Sequence, residues 1–410
     1  MLKTPMLFVT NLHFRKDGNG GQQRTYFLIK ELSKHFDLHV LSPYSNSNNL
    51  DVDANFIVSK AVRAKKTLIQ NRFVFQGFKM LNNILKKYES ETALHQSNLE
   101  TYLLKKQLQE IKHNPKCTNL DTIVFDTLAV VQNVNGLFKN KILNAHNFDS
   151  ELAQMSIDNK RNNAETTDSE LLKNENELNV LQRYEHNIDA YFSEIWVCSK
   201  ADEVKFKNAN PKTNVRFFEI PNGSDIESRT FQDVKEDYKN ILFVGTLNYF
   251  PNVNGLQWFV ENIFGALPKA YTLTIVGKSP NLNDFKFIKP FNNIRLVGEV
   301  EDIEAEYKKY DVVVVPLLEG SGTRLKILEA MSYGKLVLST AKGIEGIDAI
   351  DGEHFFEFNS DVDFLNILKH FDDKEQLLKI RKNGRRLMKD RYSWQGVIQK
   401  YVEDLEANKL

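Results

Sequence analysis

Residues 311–335 read DVVVVPLLEGSGTRLKILEAMSYGK, and three kinds of local structure follow one another within them. Asp311–Leu318 is a continuous apolar run of mostly β-branched residues, the pattern of a strand buried on both faces. Gly320, Ser321, Gly322 and Thr323 form a loop of small residues. Beyond them, apolar residues recur at three- and four-residue spacing, which predicts a helix with Arg324, Lys326 and Glu329 in its first two turns. A strand feeding a glycine loop and a helix start is a place to hold an anion. The first N–H groups of a helix lack intrahelical partners, and the aligned peptide dipoles add roughly half a positive charge there. Glycines let a ligand approach the backbone, and Ser321 or Thr323 is placed to cap the helix.

On helical spacing, Gly322, Lys326 and Glu329 share one face, while Leu325, Leu328 and Met331 share another that would pack on the sheet. A cation near the loop suits a pyrophosphate, and a carboxylate one turn on suits a ribose diol. A solvent-exposed ion pair between Lys326 and Glu329, worth about 0.3 kcal/mol, fits the same spacing. The segment is not a P-loop, because G-x-x-x-x-G-K-[ST] is absent.

Outward from this stretch, short β-branched runs repeat. Ile241–Thr246, Tyr271–Gly277, Asn293–Val300 and Lys335–Thr340 each end in Gly, Pro or polar residues, as buried parallel strands do. The N-terminal half alternates in the same way. Met6–Asn11 is a strand, Lys16–Arg24 a polar glycine loop, Thr25–Phe36 a helix and Leu38–Ser42 a strand, which makes a βαβ unit. Asp121–Leu128, Lys141–Asn147 and Ser193–Ser199 read as further strands. Residues 62–114 interrupt the rhythm with a helical pattern. The apolar side chains there, Phe73, Phe75 and Phe78 among them, suit packing between helices or a membrane or hydrophobic acceptor.

A chain of 410 residues exceeds one ordinary core. The expected division is 1–225, with a helical insertion near 62–114, then 236–385, then a crossover helix at 386–410 returning to the first domain. Lys+Arg and Asp+Glu both number 54, a balance that argues against a nucleic-acid partner. The two cysteines, Cys117 and Cys198, form neither a disulfide framework nor a zinc spacing. No run approaches the ~18 apolar residues of a membrane span. The N-terminus is too short and polar for a signal peptide. Cytoplasmic localisation is expected, with peripheral association at the inner membrane face left open.

The motifs IPNGSD, ILFVGTLNYFPNVNGLQWF, the stretch from Leu296 to Thr340 and the tail RYSWQGVIQKYVEDL together resemble GT-B-fold glycosyltransferases, in particular the retaining family four. The resemblance covers most of the chain and is strongest from about 220 to 340. It implies two doubly wound Rossmann-like domains facing a cleft. The N-terminal domain would bind the acceptor and the C-terminal domain the donor. The donor would be a UDP- or GDP-linked sugar, taken as a substrate, with no cofactor and no metal. The acceptor would be a glycan, a lipid-linked sugar or a protein. Matched residue by residue, Glu329 holds the donor ribose, Gly322 and Thr323 lie near the diphosphate, and Val300 and Asp302 flank the base. Gly20 and Gly21 match a loop that approaches the donor phosphate and acceptor. His146 sits at the sugar with Asn147 beside it. The family's first glutamate falls on Ser321, eight residues before Glu329, so Glu319 is the displaced candidate for its role. The family's cations after the first strand of the C-terminal domain have no counterpart between Thr246 and Asn254. Arg324 and Lys326 are the candidates to neutralise the diphosphate. A non-catalytic sugar-nucleotide binder or scaffold partner of a transferase, and a nucleotide-sugar epimerase on the same fold, are the alternatives.

Overall fold

The computed structural model describes residues 3–16, 18–43, 52–58, 98–114, 117, 119–131, 134, 136–161, 166–231, 238–278, 280–320 and 324–408. Most of the expected helical insertion therefore lies outside the described residues. The chain divides into two compact units, Met1–Ile220 together with Lys400–Leu410, and Pro221–Gln399.

In chain order the first unit contains β1 (Thr4–Val9), α1 (Gly20–His35), β2 (Phe36–Ser42), β3 (Ala54–Val58), α2 (Asn98–Lys112), β4 (Thr122–Asp126), β5 (Asn140–Asn144), α3 (Asp149–Arg161), α4 (Asp168–Glu185), β6 (Glu194–Val197), α5 (Lys200–Ala209) and β7 (Arg216–Glu219). Its seven strands are ordered β3-β2-β1-β4-β5-β6-β7, and every pair is parallel. Strand order reverses between β1 and β4. At such a switch point the connections leave in opposite directions, and a crevice opens at the carboxyl ends. The inner strands are buried along nearly their whole length: Leu7, Phe8, Ile123, Val124 and Leu143 are among the side chains wholly out of solvent.

The second unit contains β8 (Asn240–Val244), α6 (Phe250–Asn262), β9 (Thr272–Val276), β10 (Ile294–Gly298), α7 (Ile303–Tyr307), β11 (Val312–Val315), α8 (Leu325–Ser332), β12 (Leu336–Ser339), β13 (Phe356–Glu357), α9 (Lys374–Arg391) and the start of α10 (Trp394–Ala407), whose remainder from Lys400 onward belongs to the first unit. Its sheet is also parallel, in the order β10-β9-β8-β11-β12-β13, with the switch point between β8 and β11. The VVVV of β11 is wholly buried, as a central strand covered on both faces must be.

The sequence reading finds the inner strands and misses β3, β7 and β13, all at sheet edges. An edge strand pairs on one side only, and two of these three show it: RFFE of β7 is half-buried or exposed throughout and β3 is only partly buried, while β13 is two residues long; the fourth edge strand, β10, is read from the sequence. A second difference concerns α1. The helix begins at Gly20, so Gly20 and Gly21 are helical rather than part of a loop that runs to Arg24. Asn19 and Gln22 form a reciprocal capping box that starts it, with Gln22 N donating to Asn19 Oδ1 and Asn19 N to Gln22 Oε1. The PNGSD stretch is likewise more than a turn. Ser224 N donates to the Tyr392 carbonyl at 2.6 Å, and the Trp394 ring packs so closely on Gly223 that no side chain fits there.

Three adjacent strands of the second unit end in glycine: Gly245 after β8, Gly277 after β9 and Gly298 closing β10. A Cβ at Gly277 would fall well inside the van der Waals radius of the Gly245 carbonyl oxygen, which is backbone and cannot swing aside. Gly277→Ala is expected to destabilise the second unit by about 1–3 kcal/mol, through overpacking, read as a lower urea midpoint.

Candidate functional site

In the second unit, β11 delivers the chain through Pro316 to Gly320, whose φ of +103° is a backbone shape that favours glycine. Predicted ligand residues Gly322 and Thr323, with Ser321, lie outside the described residues. The helix expected to begin in this loop begins at Leu325, and Arg324 is its N-cap with extended backbone angles, not a first-turn residue. The Arg324 side chain is buried and lies over Gly320, its terminal nitrogens 3.3 Å from where a Cβ would stand.

Lys326 leaves α8 in the first turn and crosses to the end of β8. Its Nζ donates to Asn252 Oδ1 at 2.6 Å and lies 4.8 Å from the centre of the Phe243 ring. It is also 2.9 Å from the position a Gly245 Cβ would take, so a side chain there would push the ammonium out of this place. Asn252, in the first turn of α6, donates its own amide to the Thr246 carbonyl at 2.7 Å, which fixes Oδ1 toward the ammonium. A cation from another helix thus lies against the stretch from Thr246 to Asn254, which carries none of its own, and is held by a residue of that stretch. Burial, reinforced by the neighbouring Arg324 charge, pushes the Lys326 pKa down to about 7, against the pull of Glu329.

Glu329 does not pair with Lys326 as the spacing allowed. Its Oε1 accepts from Arg229 Nη2 at 3.2 Å, and the Tyr307 hydroxyl lies 3.5 Å from Oε2. Arg229 is itself held by Ser224 and by the face of Tyr333, 5.1 Å from the ring centre. Each Glu329 oxygen retains a lone pair for a further donor, so the pair orients the carboxylate and leaves it able to accept from a diol. Glu319 accepts from Asn254 Nδ2 at 2.8 Å, beside the exposed Tyr249. Asp302 caps α7, accepting from Ala305 N at 3.0 Å, and Val300 is half-buried against the core.

In the first unit, the ends of β1, β4 and β5 and the start of α1 bring Thr10, Asp126, Asn144, His146 and Gly21 together. His146 Nε2 is 2.8 Å from Oδ1 of the fully buried Asp126, and its Nδ1 is 3.4 Å from where a Gly21 Cβ would stand. Burial pushes the Asp126 carboxyl up. The charge and hydrogen bond of His146, with the hydroxyls of Thr10 and Thr25, outweigh that and hold it below the ordinary value. Arg24, which the sequence places at the end of a polar loop, is buried and donates to Asn144 Oδ1. Asn147 bonds Asp149, whose pKa burial raises to about 6. Glu185 accepts from Ser150 N and so occupies the N-terminus of α3; its own pKa is pushed to about 7, chiefly by burial.

The sequence reading missed Arg229 and Asn252 and gave Asp126 no role. A carboxylate inside the apolar VFDTL run was the one available signal, since an ionisable residue in a buried strand has to find partners.

Residues 238–365 match the family model of glycosyl transferases group 1. An uncharacterised 44.6 kDa protein in the cps region of Klebsiella pneumoniae is 33% identical over 135 residues, 30% of this chain and 35% of that protein. The chain therefore matches about a third of that relative's length. Among solved structures, Anabaena HepE in complex with UDP-glucose gives a TM-score of 0.62 at 13% identity, covering 98% of this chain and 99% of that one. The sucrose-phosphate synthase of Thermosynechococcus elongatus gives 0.60 at 15%, covering 99% and 100%. WaaG, a glycosyltransferase involved in lipopolysaccharide biosynthesis, gives 0.61 at 11%, covering 96% and 98%. At these identities the likeness shows the fold, an α/β architecture of two parallel sheets resembling GT-B glycosyltransferases.

Lys326 carries a pH signature. The unfolded chain holds this proton up to about pH 10.5 and the folded chain releases it near 7, so the lysine's contribution to stability rises across that interval. Lys326→Met should remove the rise. Urea midpoints of wild type and variant are expected to converge in favour of the wild type as pH increases from 7 toward 10.

Proposed function

We propose that the chain is a GT-B glycosyltransferase of the retaining family four. It would move a sugar from a UDP- or GDP-linked donor to a glycan, lipid-linked or protein acceptor. The observation that carries this reading is the Lys326 ammonium, set beside Gly245 at the switch point of the second sheet and in the first turn of α8. A nucleoside diphosphate leaving group gains negative charge as the glycosidic bond breaks. Charge placed in advance at that point lowers the barrier. Lys326, Arg324 and the start of α8 supply it, and no metal is required in this scheme. Glu329, oriented by Arg229, takes the ribose diol. His146 orients the sugar, and Glu319, steadied by Asn254, is the remaining candidate for sugar contact. HepE was solved with UDP-glucose, which supports a nucleotide-sugar donor here. Among the described residues no helix is long and apolar enough to cross a membrane. We place the reaction in the cytoplasm, at the inner membrane face when the acceptor is lipid-linked.

A second reading, a binder of sugar nucleotides without turnover, draws on Ser321 at the first-glutamate position. Binding of a nucleotide sugar with no release of nucleoside diphosphate, across an acceptor panel, would favour it.

Calorimetry with UDP and GDP tests the main reading. One of them should bind, and Lys326→Ala should cost about 1–3 kcal/mol of affinity. No binding of either overturns it. Because phosphate binds the protonated lysine, wild-type affinity should fall as pH rises from about 6 to about 9. Lys326→Arg, charged throughout, should flatten that slope.

A further inference from the structure

Histidine has two ring nitrogens, and the one a ligand meets depends on which carries the proton. The first unit settles this for His146 through a chain of groups that begins at Arg24. A guanidinium only donates. Arg24 Nη2 lies 2.7 Å and Nε 3.2 Å from one side-chain atom of Asn144, so that atom must be the amide oxygen. Arg24 is anchored in turn by the Ile220 carbonyl at 2.9 Å. The amide nitrogen of Asn144 then points the other way, donating to Asp126 Oδ1 at 2.7 Å. Thr10 and Thr25 donate to Oδ2 at 2.6 and 2.7 Å. A carboxylate so surrounded by donors is ionised and accepts only. The remaining contact of Oδ1 is His146 Nε2 at 2.8 Å, and two facing lone pairs at that distance repel, so Nε2 bears hydrogen. Asn144 Nδ2, 3.1 Å from Nε2, is another donor and finds no lone pair there.

We propose that Asp126, set by Asn144 and the buried Arg24, is a positioning residue that holds the hydrogen of His146 on Nε2, so that whenever the ring is neutral Nδ1 is its single accepting nitrogen. Nδ1 faces Gly21 at the start of α1 and accepts a hydrogen bond from a ligand hydroxyl, taken here as one of the bound sugar on the reading given above. Among the described residues, Asp126 of β4 makes a direct hydrogen bond to the ring, Asp149 at the start of α3 acts on it through its charge, and Arg24 of α1 acts through Asn144. The absence of a side chain at residue 21 then has a purpose, since a methyl group there would stand 3.4 Å from Nδ1 and occupy the ligand's place without steric conflict.

The test is nitrogen-15 NMR of the full chain labelled at histidine, recorded at about pH 8, with the His146 signals assigned from a His146→Gln sample. The expected spectrum has a protonated Nε2 and a lone-pair shift at Nδ1. Asp126→Ala, checked for folding by urea titration, should give a tautomer mixture. Gly21→Ala should keep the wild-type tautomer and urea midpoint while lowering turnover about 100-fold by displacing the substrate. A protonated Nδ1 in the wild type overturns the proposal whether or not the chain transfers sugar. Unchanged turnover in a correctly tautomeric Gly21→Ala overturns the role given to Nδ1. Loss of donor binding in the wild type would instead strike the functional reading.

Discussion

An ammonium ion loses several strong interactions with water when it is enclosed, and protein that surrounds it must replace them or let the proton go. In the second unit Lys326 is brought among Phe243, Asn252 and Gly245 and finds, among the described residues, one side-chain hydrogen bond. That is too little to hold the charge firmly, and a neighbouring guanidinium weakens the hold further. The neighbouring features follow from this placement. Residue 245 has no side chain because the ammonium passes there, and Asn252 keeps its amide oriented by the Thr246 carbonyl. On the function proposed above, an incoming anion would complete this lysine and restore both the proton and its partners.

The first unit solves the opposite problem. There the buried charge is the Asp126 carboxylate, and it is supplied with four donors, so it stays ionised in a fully enclosed place. A satisfied network of this kind is rigid, and rigidity is what a group that orients a ligand requires. One half of the molecule therefore holds an under-solvated cation and the other a fully solvated anion. Both stand at the carboxyl ends of strands flanking a switch point, where the parallel topology concentrates loops and helix starts.

The inner strands were legible because burial on both faces writes an unbroken apolar run, as in DVVVVP or ILFVG. Of the edge strands β10 was legible and three were not: β7 is half-buried or exposed throughout, β3 is only partly buried, and β13 is two residues long. Within the site, Lys326 and Glu329 were legible by residue type and by resemblance, but not by direction. Helical spacing placed them together, and the structure sends one side chain to α6 and the other to Arg229. What redirects them lies far away in sequence: Asn252 is 74 residues from Lys326, and Arg229 is 100 from Glu329. The Arg24–Asn144 bond spans 120 residues. Local patterns report which face of an element is apolar; they do not report which polar atom of a distant segment will meet it.

The three glycines at the ends of β8, β9 and β10 are each fixed for a different reason: an ammonium at Gly245, a carbonyl oxygen at Gly277 and a φ of +81° at Gly298. The constraint at Gly277 and Gly298 is backbone and cannot be relieved by a neighbour, while at Gly245 a substitution would displace the Lys326 and Asn252 side chains. Change in this chain, natural or engineered, would thus meet less resistance in the connecting loops than in the floor on which they stand.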